Sequence, residues 1–271
     1  LFEEKGIAYI PSCLREEYQA EPVDDLIDVK SIKGIIHSHS NWSDGGETIE
    51  TMARHAQEKG FEYLVISDHS KSASYANGLS VERIEAQHKY IDELNSKLNG
   101  FRIFKSIEAD ILGDGSLDYD DETLATFDLV IASVHSNLKM NEEKAMMRVM
   151  NAIENPYTTI LGHPTGRLLL RREGYPIDHK AVIDACAAHG VVIEINANPW
   201  RLDLDWRWVR YAMEQGVKLA INPDAHEMDG YEDMKYGVLV GRKGGLTKEM
   251  TLNALSGDEI ASYFASRKSR T

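Results

Sequence analysis

Cysteine is nearly absent, with two residues in 271, Cys13 and Cys186, and neither lies in a C-x-x-C spacing. That excludes a disulfide scaffold, a thiolate zinc site and a dithiol redox motif, and it fits a reducing compartment. Basic residues are scarce as well: 30 Lys and Arg stand against 44 Asp and Glu, for a formal net charge of −14. A body of that sign does not coat nucleic acid non-specifically, because such binding needs a basic surface to displace counterions. Any contact with a polyanion must be local, through clustered Arg or through bound metal. No apolar stretch reaches the roughly 18 residues needed to span a bilayer. The start, LFEEKGIAYIPSC, lacks the basic head and apolar run of a signal peptide. The composition therefore reads as a soluble, cytoplasmic protein. Sustained heptads, low-complexity tracts and repeats longer than one strand-helix unit are also missing, which excludes fibrous and disordered classes.

What is present is 42% hydrophobic residues, enough to bury one large core, so a single barrel or one α/β domain with a small appendage is expected. The first 31 residues read differently, with two prolines, an acidic stretch at Glu21 to Asp28 and no clean alternation of strands and helices. Residues 1–31 are read as a linker or the tail of an upstream domain, with an ordinary N-terminal extension as the alternative, and residues 32–271 as the domain proper.

From Ile32 onward, short runs rich in β-branched residues alternate with helical patterns, the signature of repeated βα units around a parallel sheet. The strand candidates are IKGIIHS from Ile32, FEYLVIS from Phe61, FRIFKSI from Phe101, FDLVIASV from Phe127, TTILG from Thr158, GVVIEIN from Gly190 and GVKLAIN from Gly216. An eighth run, YGVLVG from Tyr236, is placed either in the ring or outside it. Near-continuous apolar character indicates strands covered on both faces. Helical stretches such as ETIETMARHAQEKG, VIDACAAHG and WRWVRYAMEQG end in Gly, two of them with Lys or His in the last turn. The pattern predicts a closed barrel of the triosephosphate-isomerase kind with seven strands, with an open doubly wound sheet as the alternative.

Six of the ten histidines fall at the C-terminal ends of these strands. His37 and His39 follow the first, Asp68 and His69 the second, Glu108 the third, His135 the fourth and His163 the fifth. Asn196 and Asn198 follow the sixth, Asp224 and His226 the seventh. In a barrel that rim converges on one cleft. His-x-His in extended backbone puts both imidazoles on one face, able to bite one cation. Each motif alone is weak; their coincidence at one rim points to metal. His55, His88, His179 and His189 lie in helical patterns, where solvation or helix-end charge accounts for them. Cys186, Met146, Met147, Trp206 and Trp208 read as helix packing. A His and carboxylate shell without Cys favours Zn²⁺, Mn²⁺ or Fe²⁺, and the ligands outnumber what one tetrahedral ion uses. Two or three metals sharing a bridging carboxylate, with Glu108 the candidate, suit phosphate-ester cleavage.

The series HSHSNWSDGG, ISDHS, KSIEADIL, SVHS, GHP and INPDAH resembles the polymerase and histidinol phosphatase superfamily, PHP. DGSLDY, GHPTGRLLLRREGY, EINANPWRLDLDWRW and YGVLVGRKGGLTK are similar to the C-terminal PHP domain of bacterial family-X DNA polymerases, and GIAYIPSCLRE to the join with the polymerase. The resemblance implies a distorted (β/α)7 barrel with up to three divalent metals: one on His37, His39, Glu108 and Asp224, a second on Glu108, His135 and His163, a third on Asp44, His69 and His226. It implies Glu108, His135 and Asp224 as catalytic residues, and Asp68 as orienting a ligand rather than donating to metal. It further implies a 3′-5′ exonuclease or DNA 3′-end phosphoesterase, cleaving by metal-activated hydroxide and attached to an N-terminal polymerase domain.

Arg167, Arg171, Arg172 and Arg201, with Lys71, could grip phosphates at that rim, Arg167 first; the alternative pairs the arginines with Glu173, Asp203 and Asp205. Bound cations and a few arginines would make a positive pocket on a negative body. The rival readings are a small-molecule phosphatase, of the histidinol-phosphate or nucleotide type, and a non-catalytic PHP module that braces a polymerase.

Overall fold

The structure is a computed structural model, describing Ile10 and residues 24–268. All seven expected strands form: β1 (Gly34–Ile35), β2 (Tyr63–Ile66), β3 (Arg102–Asp110), β4 (Leu129–Ser133), β5 (Thr158–Leu161), β6 (Val192–Asn196) and β7 (Leu219–Asn222). They are parallel and pair strictly in chain order. An open doubly wound sheet needs a reversal of strand order, and none occurs.

The ring closes between its first and last strands by two devices. Beyond β1 and β7, Ser38 pairs in parallel with Ala225, and the His39 N–H donates to the Ala225 carbonyl at 2.8 Å. Lower down, where β1 is too short to reach β7, buried Asn253 fills the gap. Its side-chain oxygen accepts the Ile221 N–H at 2.7 Å and its carbonyl accepts the Lys33 N–H at 2.7 Å.

Alternation along each strand separates two cores. Tyr63, Val65, Phe104, Leu129, Ile131 and Ile160 point into the barrel, while Leu64, Ile66, Ile103 and Val130 pack against the outer helices. The helices are α1 (Ile49–Glu58), α2 (Val81–Asn95), α3 (Asp121–Leu124), α4 (Glu142–Glu154), α5 (His179–His189), α6 (Trp206–Glu214), α7 (Met234–Gly244) and, apart from the outer layer, α8 (Gly257–Lys268). Thr48, Ser80, Asn141, Asp178 and Asp205 each accept a first-turn N–H through the side chain, which sets where the helices start. α8 plugs the N-terminal mouth: Ile260 and Phe264 join the inner core, and Arg267 donates to the carbonyls of Gly190 and Thr158 at 2.7 and 2.6 Å.

Two sequence expectations need correction. YGVLVG is no strand; it lies inside α7, whose buried Met234, Gly237, Val238 and Gly241 recur at helical rather than alternating spacing. The boundary after residue 31 falls too late, because Leu26 and Ile27 are buried and the Ile27 N–H donates to the Leu246 carbonyl at 2.9 Å. Residues 24–31 pack on the end of α7 and the turn that follows it, where Arg242 donates to the Ile27 carbonyl at 2.8 Å and Leu26 bridges Thr247; the remainder of the expected linker, Cys13 included, lies outside the described residues apart from Ile10. Cys186 is free and buried in α5, and burial pushes its thiol up, away from reactivity. No helix among the described residues is long and apolar enough to cross a membrane.

Candidate metal centre

The C-terminal rim gathers every predicted ligand. His37 and His39 leave β1, Asp44 sits in the loop that follows, and His69 follows β2. Glu108 stands on β3, His135 and His163 follow β4 and β5, and Asp224 and His226 follow β7. His37, His39, Glu108 and His163 are at most 1% exposed. His37, His163 and Asp224 adopt positive φ angles of 63°, 20° and 52°, in the left-handed region that side-chain-bearing residues avoid. Strain of this kind persists only where surrounding contacts impose it, and it concentrates at functional sites.

Glu108 is the hub. Its Oε1 lies 3.2 Å from His37 Nε2, 3.2 Å from His135 Nε2 and 3.0 Å from His163 Nε2. Its Oε2 lies 3.1 Å from His69 Nδ1 and 3.6 Å from His39 Nε2. Asp224 Oδ1 is 3.5 Å from His37 Nε2 and 3.2 Å from His39 Nε2. Asp44 faces His39, His69 and His226 at 3.9, 3.7 and 3.5 Å.

Three sets of donor atoms lie close enough to hold one cation each: His37, His39 and Asp224; His39, Asp44, His69 and His226; and His69, Glu108 and His135. This grouping differs from the implied one. His39 and His69 each serve two sets, and His163 falls outside the three although it touches Glu108. The fit to metal rests on unsatisfied atoms: His37 Nε2, His39 Nδ1, His69 Nδ1 and Glu108 Oε2 are buried and lack hydrogen bonds. A cation between facing lone pairs would satisfy them, whereas burial of such atoms unpaired is costly.

Sequence reasoning missed two carboxylates that hold the imidazoles. Glu194, fully buried on β6, accepts from His37 Nδ1 at 2.6 Å through one oxygen, and from the His163 N–H at 2.9 Å through the other. Asn196 and Asn222 also donate to it, at 3.0 and 2.8 Å. Asp110 takes the Nδ1 side of His135 and accepts from Ser72 Oγ at 2.9 Å. An ionised carboxylate only accepts, so the proton of each ring is assigned to Nδ1, leaving Nε2 to face the cluster. Both signals were present: Glu194 is a charge inside the apolar run GVVIEIN, and Asp110 lies two residues beyond Glu108 on the same strand face.

Asp68 acts on the loop rather than on a ring. It accepts from the Ser40 N–H and hydroxyl at 2.7 and 2.6 Å, from Ser43 Oγ at 2.6 Å and from Gln87 at 2.6 Å, which pins the segment joining His39 to Asp44. Asn196 donates to Asp224 Oδ2 at 3.0 Å.

Charges compensate one another within the cluster. Burial opposes a charge on His37, but Glu194, Glu108 and Asp224 outweigh it and hold its pKa well above the imidazole range. His135, against burial, is raised to about 10 by Glu108 and Asp110. His39 goes the other way, to about 3, through burial and the neighbouring His69. Glu108, despite burial, is held well below the carboxylate range by His135, His37 and His69.

The candidate phosphate-binding cations separate. Arg201 Nε lies 3.4 Å from Asp224 Oδ2, at the cluster. Arg167, expected first, instead bonds Asp205 at 3.0 Å and the carbonyls of Arg201 and Leu202, so it ties two rim loops together. Arg172 donates to the Gly166 carbonyl at 2.8 Å, Arg171 stacks on Trp200, and Lys71 lies 5.0 Å over the Tyr119 ring. His55, His88, His179 and His189 lie on α1, α2 and α5, outside all three donor sets.

The chain is 45% identical over 262 residues to the DNA polymerase/3′-5′ exonuclease PolX of Bacillus subtilis (strain 168), an alignment covering 95% of this chain and 46% of that protein. The chain thus spans about half the length of that relative. It is 28% identical over 250 residues to a "Probable phosphatase" of Thermoanaerobacter sp. (strain X514), covering 88% of this chain and 97% of that one. Histidinol phosphate phosphatase from Lactococcus lactis, solved with zinc, L-histidinol and phosphate, superposes with a TM-score of 0.58 at 15% identity, over 79% of this chain and 94% of that one, a likeness of fold. The family description "PHP domain" matches residues 36–198, the stretch that carries most of the rim histidines, and the chain belongs to the PHP domain family.

Proposed function

We propose that this chain is a metal-dependent phosphoesterase that removes nucleotides from DNA 3′ ends, working beside an N-terminal polymerase domain. The observation that carries the reading is Glu108, a buried carboxylate contacted by five imidazoles from four different strand ends and the loops beyond them. Up to three divalent cations, Zn²⁺, Mn²⁺ or Fe²⁺, would be held by His37, His39, Asp44, His69, Glu108, His135, His163, Asp224 and His226. Such ions, when bound, lower the pKa of water and offset charge on phosphoryl oxygens.

The chain's own groups do the rest. Glu194 and Asp110 keep the ring protons of His37 and His135 at Nδ1, so their Nε2 lone pairs face the cluster. Arg201, held beside Asp224, is the cation best situated to orient a phosphate oxygen, ahead of Arg171 and Lys71 at the edges. Asp68 fixes the loop on which Asp44 rides. Glu108, His135 and Asp224 are the groups assigned to the reacting centre.

The DNA reading is favoured by the 45% identity to a polymerase/exonuclease, and the phosphatase reading by relatives that match over nearly their full length. Incubation of 5′-labelled single-stranded DNA with the Mn²⁺-loaded protein separates them. A ladder shortening from the 3′ end is expected; release of phosphate from small monoesters without shortening would favour the phosphatase. Glu108→Ala should abolish either activity, and full activity in that variant would mean the module is not catalytic here.

A further inference from the structure

The loops after β5 and β6 are locked into one wall of the mouth. The Leu169 N–H donates to the Trp200 carbonyl at 2.6 Å, Leu168 pairs with Arg172, and Arg167 bonds the carbonyl of Arg201 at 2.9 Å. This wall presents to solvent what folding normally hides. Leu170, at φ 63°, is fully exposed, and Trp200 is 46% exposed with the Arg171 guanidinium 4.2 Å over its ring. Arg201, the next residue, reaches Asp224. Across the mouth, Tyr75 is 72% exposed and its ring lies 6.2 Å from that of His69.

An exposed indole sandwiched on one side by a guanidinium, one residue from a cation at the reacting centre, matches an unpaired nucleobase followed by its phosphate. The base has a π-face for Trp200, and the phosphate has charge for Arg201. A helix or protein partner would use the apolar tip but has no need of the adjoining Arg201 and the cluster of candidate metal ligands behind it. We propose that Trp200 and Arg171 form a stacking platform for an unpaired base near the 3′ end of single-stranded DNA, aligning its phosphate with Arg201 and the Glu108 cluster, with Tyr75 the second aromatic wall. The inference rests on the phosphodiesterase reading above.

The test is a cycle between protein and substrate, using the full chain with Mn²⁺. Trp200→Ala and Trp200→Phe are assayed on a 5′-labelled single-stranded oligonucleotide, on the same oligonucleotide with abasic 3′-terminal sites, and on p-nitrophenyl phosphate. Base–aromatic stacking of about 1–3 kcal/mol corresponds to a rise in KM of about 5- to 140-fold for Trp200→Ala on normal DNA. Trp200→Phe should recover most of this, and the difference between Trp200→Ala and the parent should vanish on abasic DNA. The ratio of DNA to monoester activity should fall accordingly. An unchanged KM on normal DNA, or an equal loss on abasic DNA and the monoester, would overturn the platform while leaving the exonuclease reading intact. Failure of the parent protein to shorten any DNA would overturn both.

Discussion

Glu194 commits all its acceptor capacity to the protein: His37, the His163 backbone, Asn196 and Asn222. It orients two of the expected ligands from behind. Replacing such a partner typically costs a metal site about 10- to 100-fold in affinity, so Glu194→Gln should weaken metal binding by that factor with the fold intact. Competition against a fluorescent chelator, with circular dichroism as the fold control, measures this; parental affinity would remove Glu194 from the site. Arg167 makes the opposite point. Its charge is close to the rim, but its donors are satisfied by Asp205 and two carbonyls, so it shapes the wall on which Arg201 rides.

Among the elements, the loop between His39 and Asp44 depends on close backbone approach. A Cβ on Gly45 would fall 2.1 Å from the His39 carbonyl oxygen, while one on Gly46 would find nothing nearer than 3.7 Å. Gly45→Ala is therefore expected to cost about 1–3 kcal/mol and to displace Asp44, whereas Gly46→Ala is tolerated. Denaturant midpoints and metal stoichiometry of the two variants check it. The start of α6 carries a pH signature. Asp205 caps the helix and, against burial, is lowered to about 2 by Arg207 and Arg167. A depressed carboxylate stabilises fully above its unfolded value of 3.8 and loses that contribution as pH falls through about 2. Asp205→Asn keeps a capping side chain but not the charge. Its destabilisation at pH 7, about 1 kcal/mol, should shrink on titration into that acid window.

For the whole molecule, barrel closure rests on few bonds. Asn253 spans the seam from Ile221 to Lys33, and its buried amide also reaches Gly34. Asn253→Ala would leave the Ile221 N–H unpaired at a cost of about 1–3 kcal/mol, which for a chain of this size lowers Tm by several degrees at about 2–4 °C per kcal/mol. Calorimetry that found Tm unchanged would place closure in the rim bridge alone. Cations couple to the same global stability, since ions that bind only the folded state raise Tm by mass action. In the cation-free protein His135 stays protonated up to about 10, above its unfolded value of 6.5, so its contribution is complete below pH 6.5 and disappears as pH rises through about 10. Chelated protein should thus lose Tm across that window. Metal affinity should climb over the same range, because ligation displaces the ring proton. Calorimetric titrations with Zn²⁺ at pH 6 and 9 read both effects.

Legibility followed the range of the interactions. Strand positions were readable because runs such as FDLVIASV and TTILG state their burial locally, and the rim histidines because a strand end is a local property. YGVLVG misled because an apolar run alone does not distinguish strand from buried helix; the spacing of Met234, Gly237, Val238 and Gly241 against Ile221 and Ala197 settled the matter. Residue chemistry supplied the inventory of imidazoles and carboxylates at successive strand ends. Which of them lie close enough to hold one cation together, that Glu194 and Asp110 stand behind His37 and His135, and that Arg201 rather than Arg167 lies beside Asp224 are pairings between residues far apart in the chain. Such pairings depend on strand register and loop closure, which no local run of residues encodes.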